Sequence, residues 1–161
     1  INVSSNASFF MKYISHRPQD FRPNILYERE LLGAARTLFS FSGINSDKVL
    51  VLHGDLVLTN TYLEQLMNVI NRCNCNLLIC HERLASRARS IIEVSESNLV
   101  TTIDNTVDSH ANPELVLVNS GIYFFPDIKN IVRPTINGVE IADTFLQDLV
   151  LRKSLFAHKI E

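Results

Sequence analysis

Apolar residues fall in short blocks along this chain, alternately at strand and at helix spacing. Val49-Leu50-Val51-Leu52 is a continuous apolar run with two β-branched members, the pattern of a strand covered on both faces in a parallel sheet. It stops at His53-Gly54-Asp55. After Thr59-Asn60 the spacing becomes helical and predicts an inner face of Leu63, Leu66, Met67 and Ile70. Residues 76–80 form another apolar strand. Upstream, Phe9, Phe10, Tyr13 and Ile14 are spaced for a helix over 6–16, and 24–29 reads as a short strand. Leu31-Leu32-Gly33-Ala34-Ala35 then opens a second helix, which runs through Leu38, Phe39 and Phe41 to Gly43.

The second half changes rhythm. Residues 90–94 and 99–104 read as two short strands around the polar turn Ser95-Glu96-Ser97-Asn98, which is a β-hairpin. A polar loop over 106–113 follows. Residues 115–118 and 121–125 make one strand region interrupted at Asn119-Ser120-Gly121. Pro126 opens a short helix to about residue 133, and 134–138 is a loop. A helix over 141–153 directs Ile141, Phe145 and Leu149 inward, with Leu146 beside them, and 156–160 is a last strand. Strands alternating with helices predict an α/β fold: a Rossmann-like, mostly parallel sheet flanked by helices, with an inserted β-hairpin.

Composition narrows the partners. The 161 residues suit one domain, and the formal net charge of -2 supplies neither a basic field for nucleic acid nor a polybasic patch for a membrane. Arg83, Arg87 and Arg89 are the tightest basic group and read as a solvated edge. No run approaches the roughly 20 apolar residues of a membrane span. Ile1-Asn2-Val3 resembles the end of a strand, so the expectation is a piece of a longer protein, in a cytoplasmic setting. The three cysteines, Cys73, Cys75 and Cys80, lack the spacing of a zinc set and read as reduced thiols.

Two carboxylates carry the candidate chemistry. Asp55 follows a strand, and in open α/β sheets ligands sit beyond the carboxyl ends of strands. Gly-Asp is also an ordinary turn pair, so Asp55 has a purely conformational explanation too. Asp143 falls in the first turn of a predicted helix, where a carboxylate also favours the helix dipole. Together the two carboxylates would suit Mg²⁺, which is commonly held by one or two carboxylates plus substrate phosphates. Gly33, at a loop-to-helix junction, would let a base or a phosphate approach the backbone. The break at Asn119-Ser120-Gly121 marks either close approach of a ligand or a bulge. No nucleophile elbow or Gly-rich phosphate loop is present, and His53 reads as strand-end packing or a polar lining group.

Four segments in order, Glu30-Leu31-Leu32-Gly33-Ala34-Ala35, Val49 to Asp55, Val118-Asn119-Ser120-Gly121-Ile122-Tyr123 and Asp143-Thr144-Phe145-Leu146, resemble the sugar-phosphate nucleotidyltransferase family. The likeness is greatest to its mannose-1-phosphate guanylyltransferase branch and spans essentially the whole chain. It implies an enzyme that joins a nucleoside triphosphate to a sugar 1-phosphate and releases pyrophosphate. By that resemblance Gly33 and Ala34 would face the nucleobase, Asp55 and Asp143 would be the catalytic, Mg²⁺-holding pair, and Asn119 and Gly121 would contact the sugar. The hairpin over 90–104 falls where the family has one beside its sugar site. The resemblance leaves room for a homo-oligomer.

The chain departs from the family at three places. The Gly-rich opening loop with its Arg and Lys is absent and would precede Ile1, together with the first strand. Asp104-Asn105-Thr106 stands where the family has Glu-Lys-Pro, and Arg36 replaces the usual second Gly of the base-binding motif. A non-catalytic regulatory or binding domain of the same fold is therefore the alternative expectation. An unrelated doubly wound glycosyltransferase would need an Asp-x-Asp pair, which the chain lacks.

Overall fold

The structure is a computed structural model. It describes residues 47–88, 90–105, 114–131 and 144–160, together with positions 2, 3, 8, 12, 15, 16, 26, 27 and 38. Two compact units divide the chain: Ile1–Ser42 with Arg133–Ile141, and Gly43–Val132 with Ala142–Glu161.

In the first unit β1 (Asn2–Val3) pairs in parallel with β2 (Leu26–Tyr27), at the two places where the sequence predicts strands. Ser8, Lys12 and Ser15 are helical, as the apolar spacing over 6–16 requires, and so is Leu38, which is buried. Gly33, Ala34 and the remaining residues of the second predicted helix lie outside the described residues.

The second unit is built on a six-stranded sheet. Its strands are β3 (Val49–Leu52), β4 (Asn76–Leu84), β5 (Ile91–Val94), β6 (Val100–Asp104), β7 (Leu115–Phe125) and β8 (Leu155–Lys159), in the order β6-β5-β7-β4-β8, with β3 also on β7. The expected α/β class is present. Strand direction and strand pairing nevertheless differ in character. β3, β4 and β8 all run the same way, but β7 lies between β3 and β4 and opposes both, so only β4 and β8 pair in parallel. A long antiparallel strand thus divides the run of parallel ones. β7 is apolar at nearly every position from Ile122 to Phe125, all buried, which explains why it occupies the middle of the sheet.

The run Val49–Leu52 is less covered than its composition suggests. It is half-buried, and Leu52 is 43% exposed. The helix that follows, α1 (Asn60–Arg72), begins where expected. Thr59 caps it, its hydroxyl accepting from the Tyr62 N–H at 3.2 Å. Its inner face is rotated from the prediction: Leu66 and Ile70 are buried and Tyr62 and Val69 pack beside them, whereas Leu63 and Met67 are 36% and 45% exposed. The cause is geometric, since positions 62, 66, 69 and 70 also satisfy helical spacing and their stripe faces Leu77, Ile79, Ile122 and Phe124 of the sheet.

The hairpin is present. Asn98 takes a positive φ of 60°, which Asn tolerates, and the Ser95 N–H donates to the Leu99 carbonyl at 2.9 Å. β4 continues past residue 80 to Leu84, because the first half of β7 offers it a partner as far as Leu115. The helix expected after Pro126 is a single 3₁₀ turn, Ile128–Asn130, held by the Asp127 carboxylate. The last helix, α2 (Leu146–Leu151), buries Phe145, Leu146 and Leu149 as predicted. Residues 106–113 and 132–143, including Ile141 and Asp143, lie outside the described residues.

Candidate functional site at the carboxyl rim of β3

Beyond Leu52 the chain turns. The Leu56 N–H donates to the His53 carbonyl at 3.3 Å, so Gly54 and Asp55 occupy the corner of a β-turn. The turn explanation of Asp55 and the functional one are therefore compatible: the turn holds the exposed carboxylate at the strand's carboxyl end. A Cβ on Gly54 would meet nothing within 4 Å, so this glycine serves the turn rather than a close contact.

The interruption of β7 is a bulge. Ile79 pairs with Ile122, but the next residue of β4, Cys80, pairs with Asn119. Ser120 and Gly121 thus have no counterpart across the ladder, and the strand bends there. Side chains hold this bend. The Asn119 Oδ1 accepts from the Gly121 N–H at 2.8 Å, its Nδ2 donates to the Tyr123 hydroxyl at 3.0 Å, and the Ser120 hydroxyl donates to the Ile79 carbonyl. Gly121 has φ +74°.

The bulge and the turn are tied together. The His53 N–H donates to the Gly121 carbonyl at 3.0 Å. The His53 ring lies against Gly121, where a Cβ would come within 2.9 Å of its Nδ1, and meets Tyr123 edge-on at 5.5 Å between centroids. The turn that carries Asp55, at the carboxyl end of β3, thus lies beside the Asn119–Gly121 bulge in the middle of β7. Of the two roles that the sequence leaves open for His53, strand-end packing and polar lining, its contacts with Gly121 and Tyr123 show the packing one.

Sequence reasoning missed Tyr62. It stands in the first turn of α1, with the Ser120 hydroxyl and the Cys80 thiol near its phenol. Burial pushes its phenol up from the usual value, Ser120 partly offsets this, and Cys80 adds to it. Cys80 is fully buried, and burial pushes its thiol up to about 12. Both groups stay protonated at neutral pH, so this wall of the rim is polar but uncharged. A Tyr three positions after a capping Thr is the only sequence signal that would have indicated it.

Among the described residues no group of three His, Cys, Asp or Glu side chains gathers to hold a metal. Mg²⁺ does not require one, because it keeps several waters and binds through one or two carboxylates plus substrate phosphates. Asp55, exposed at the rim, fits that demand as a single ligand. No helix among the described residues is long and apolar enough to cross a membrane.

Among solved structures the chain is similar to HddC from Yersinia pseudotuberculosis, with TM-score 0.73 and 17% identity over 98% of this chain and 67% of that one. The fold is shared with HddC. The same protein complexed with GMP-PN matches with TM-score 0.72 and 18% identity, over the same shares of the two chains. No protein-family model matches the chain, and no curated protein does.

Proposed function

We propose that the chain is part of a Mg²⁺-dependent nucleotidyltransferase that makes a nucleoside diphosphate sugar and pyrophosphate from a nucleoside triphosphate and a sugar 1-phosphate. The observation that carries this reading is the joining of Asp55 to the Asn119–Gly121 bulge through the His53–Gly121 hydrogen bond. Turn and bulge lie far apart in sequence, yet they lie side by side at the carboxyl end of β3, and α/β sheets bind ligands beyond such strand ends. Two further points support it. The hairpin strand β5 pairs with Leu117, two residues from Asn119, so it borders the bulge. HddC, whose fold this chain shares, occurs in complex with GMP-PN.

In this reading Asp55 holds the cation; the parts of second carboxylate for Asp143 and of base contacts for Gly33 and Ala34 come from the family resemblance alone. Bound Mg²⁺ would neutralise charge on the phosphates as the sugar phosphate attacks in line. Asn119 contributes by shape. Both ends of its amide hold the bulge, and with it the buried Gly121, whose N–H is given to Asn119 and whose carbonyl accepts from His53. The uncharged Tyr62–Ser120 wall suits hydroxyl groups rather than a second phosphate.

The test uses the full-length protein, an NTP panel and a panel of sugar 1-phosphates, with pyrophosphate release as readout. Asp55→Asn is expected to remove at least about 100-fold of turnover, as loss of a charge-stabilising group typically does. Its stability should shift by less than about 0.5 kcal/mol, because the carboxylate is exposed. Retained turnover would remove Asp55 from the chemistry. No turnover by the unmodified protein on any pair would favour a binding domain.

A further inference from the structure

At the opposite rim of the same sheet two thiols touch. Cys73 is the C-cap of α1 and Cys75 immediately precedes β4, and their sulfurs are 2.9 Å apart. Weak bonds reinforce the contact: the Cys75 N–H points at the Cys73 sulfur at 3.4 Å, and the Cys73 thiol at the Cys75 carbonyl at 3.5 Å. Both side chains are half-buried rather than sealed, in contrast to Cys80. Cys75 also lines a cavity of about 420 Å³ with Asn74, Asn76, Asp127, Asn130 and Arg152, which gives a small reagent a way in.

We propose that Cys73 and Cys75 form a reversible dithiol site that a small-molecule disulfide, of the glutathione type, closes to an intramolecular bridge. The two sulfurs are not equivalent. Burial, and then the contact with Cys73, pushes the Cys75 thiol up to about 12, so its proton is retained and Cys73 is the attacking sulfur. Cys73, having lost its proton to water, attacks one sulfur of the oxidant. That forms a mixed disulfide and expels one thiolate. Cys75 then gives up its proton and attacks the Cys73 sulfur, expelling the second thiolate. The sum is two protein S–H bonds lost, one S–S bond broken in the oxidant, one formed in the protein, and two small thiols released.

The sulfurs need move less than about 1 Å to reach bonding distance. The bridge would nevertheless be strained. Cys73 is extended at φ -98° and ψ 140°, and a bridge across one intervening residue must tighten that turn. Strained bridges are the readily reduced ones, so this site is a labile couple rather than a structural staple. Its consequence would fall on the α1–β4 connection and on the cavity that Asn74 and Cys75 line. The Asp55 rim lies about 20 Å away at the other end of α1, so the site is independent of the proposed transferase reading.

The full-length protein is equilibrated in graded mixtures of reduced and oxidised glutathione, its free thiols are trapped by alkylation, and peptides spanning residues 73–75 are weighed. The expected product has lost two hydrogens and carries no glutathione, while Cys80 stays alkylatable after unfolding. Cys75→Ser should instead accumulate glutathione on Cys73, and Cys73→Ser should leave Cys75 unmodified. Asp55→Asn should show the wild-type pattern. A wild-type peptide that keeps both thiols in fully oxidised glutathione overturns the proposal, as do stable glutathione adducts on either sulfur.

Discussion

Gly121 shows how much the rim depends on one missing side chain. Its φ of +74° disfavours any L side chain, and a Cβ would collide with the His53 ring at 2.9 Å. Gly121→Ala should therefore destabilise the protein by about 2–4 kcal/mol, combining left-handed strain with overpacking. Adding His53→Ala should relieve the collision but not the strain, leaving a coupling of about 1 kcal/mol in a double-mutant cycle read by urea unfolding. Strict additivity would mean that His53 does not pack on Gly121. At this scale the sequence was informative wherever a residue type was out of place. Small polar residues inside the apolar run of β7 announced the bulge, and a carboxylate just past an apolar strand announced Asp55. Tyr62 gave no such sign, because an aromatic residue on a helix reads as core, and its neighbour Ser120 is distant in sequence. Gly33, Ala34 and Asp143 lie outside the described residues, so the base and second-carboxylate assignments rest on resemblance.

Helix α1 exposes the limit of periodicity at the scale of elements. Helical spacing fits two overlapping apolar stripes, and only the sheet beneath decides between them. Leu66→Ala, fully buried among Leu77, Ile79 and Phe124, should cost about 2–5 kcal/mol, whereas Met67→Ala should cost less than about 1 kcal/mol. Equal losses in thermal unfolding would mean that the predicted stripe, not the observed one, faces the core. Strand β4 carries a pH effect of predictable sign. Burial, with Arg83 nearby, lowers His81 below its ordinary 6.5. The native chain then binds fewer protons than the unfolded one, so the neutral imidazole contributes stability that is complete above about pH 6.5 and lost as pH falls through the lowered native value. Urea midpoints of His81→Gln and wild type should converge on acidification from about pH 7.5 to about pH 5. A gap that widens in favour of the wild type would reverse the sign and place a carboxylate near the ring.

The whole sheet was legible in its parts and not in its pairing. Strand positions, the hairpin and the α/β class all followed from local pattern, because alternation and turn chemistry are properties of short segments. The insertion of antiparallel β7 between β3 and β4 is a long-range choice that no local pattern encodes. That choice creates the candidate site, since it brings residues 119–121 beside the turn at 53–56. A ligand bound there should be linked to global stability, provided that it binds the folded chain and not the unfolded one. With Mg²⁺ and a guanine nucleotide at about 100 times its dissociation constant, the full-length protein should gain about 2.7 kcal/mol. If Asp55 holds the cation, Asp55→Asn should lose most of that gain when Mg²⁺ is present, and EDTA should reduce the wild type to the same level. The variant's unliganded stability should not change, which separates a lost ligand from a damaged fold. A nucleotide that stabilises wild type and Asp55→Asn equally, with and without Mg²⁺, would show that binding uses another part of the molecule.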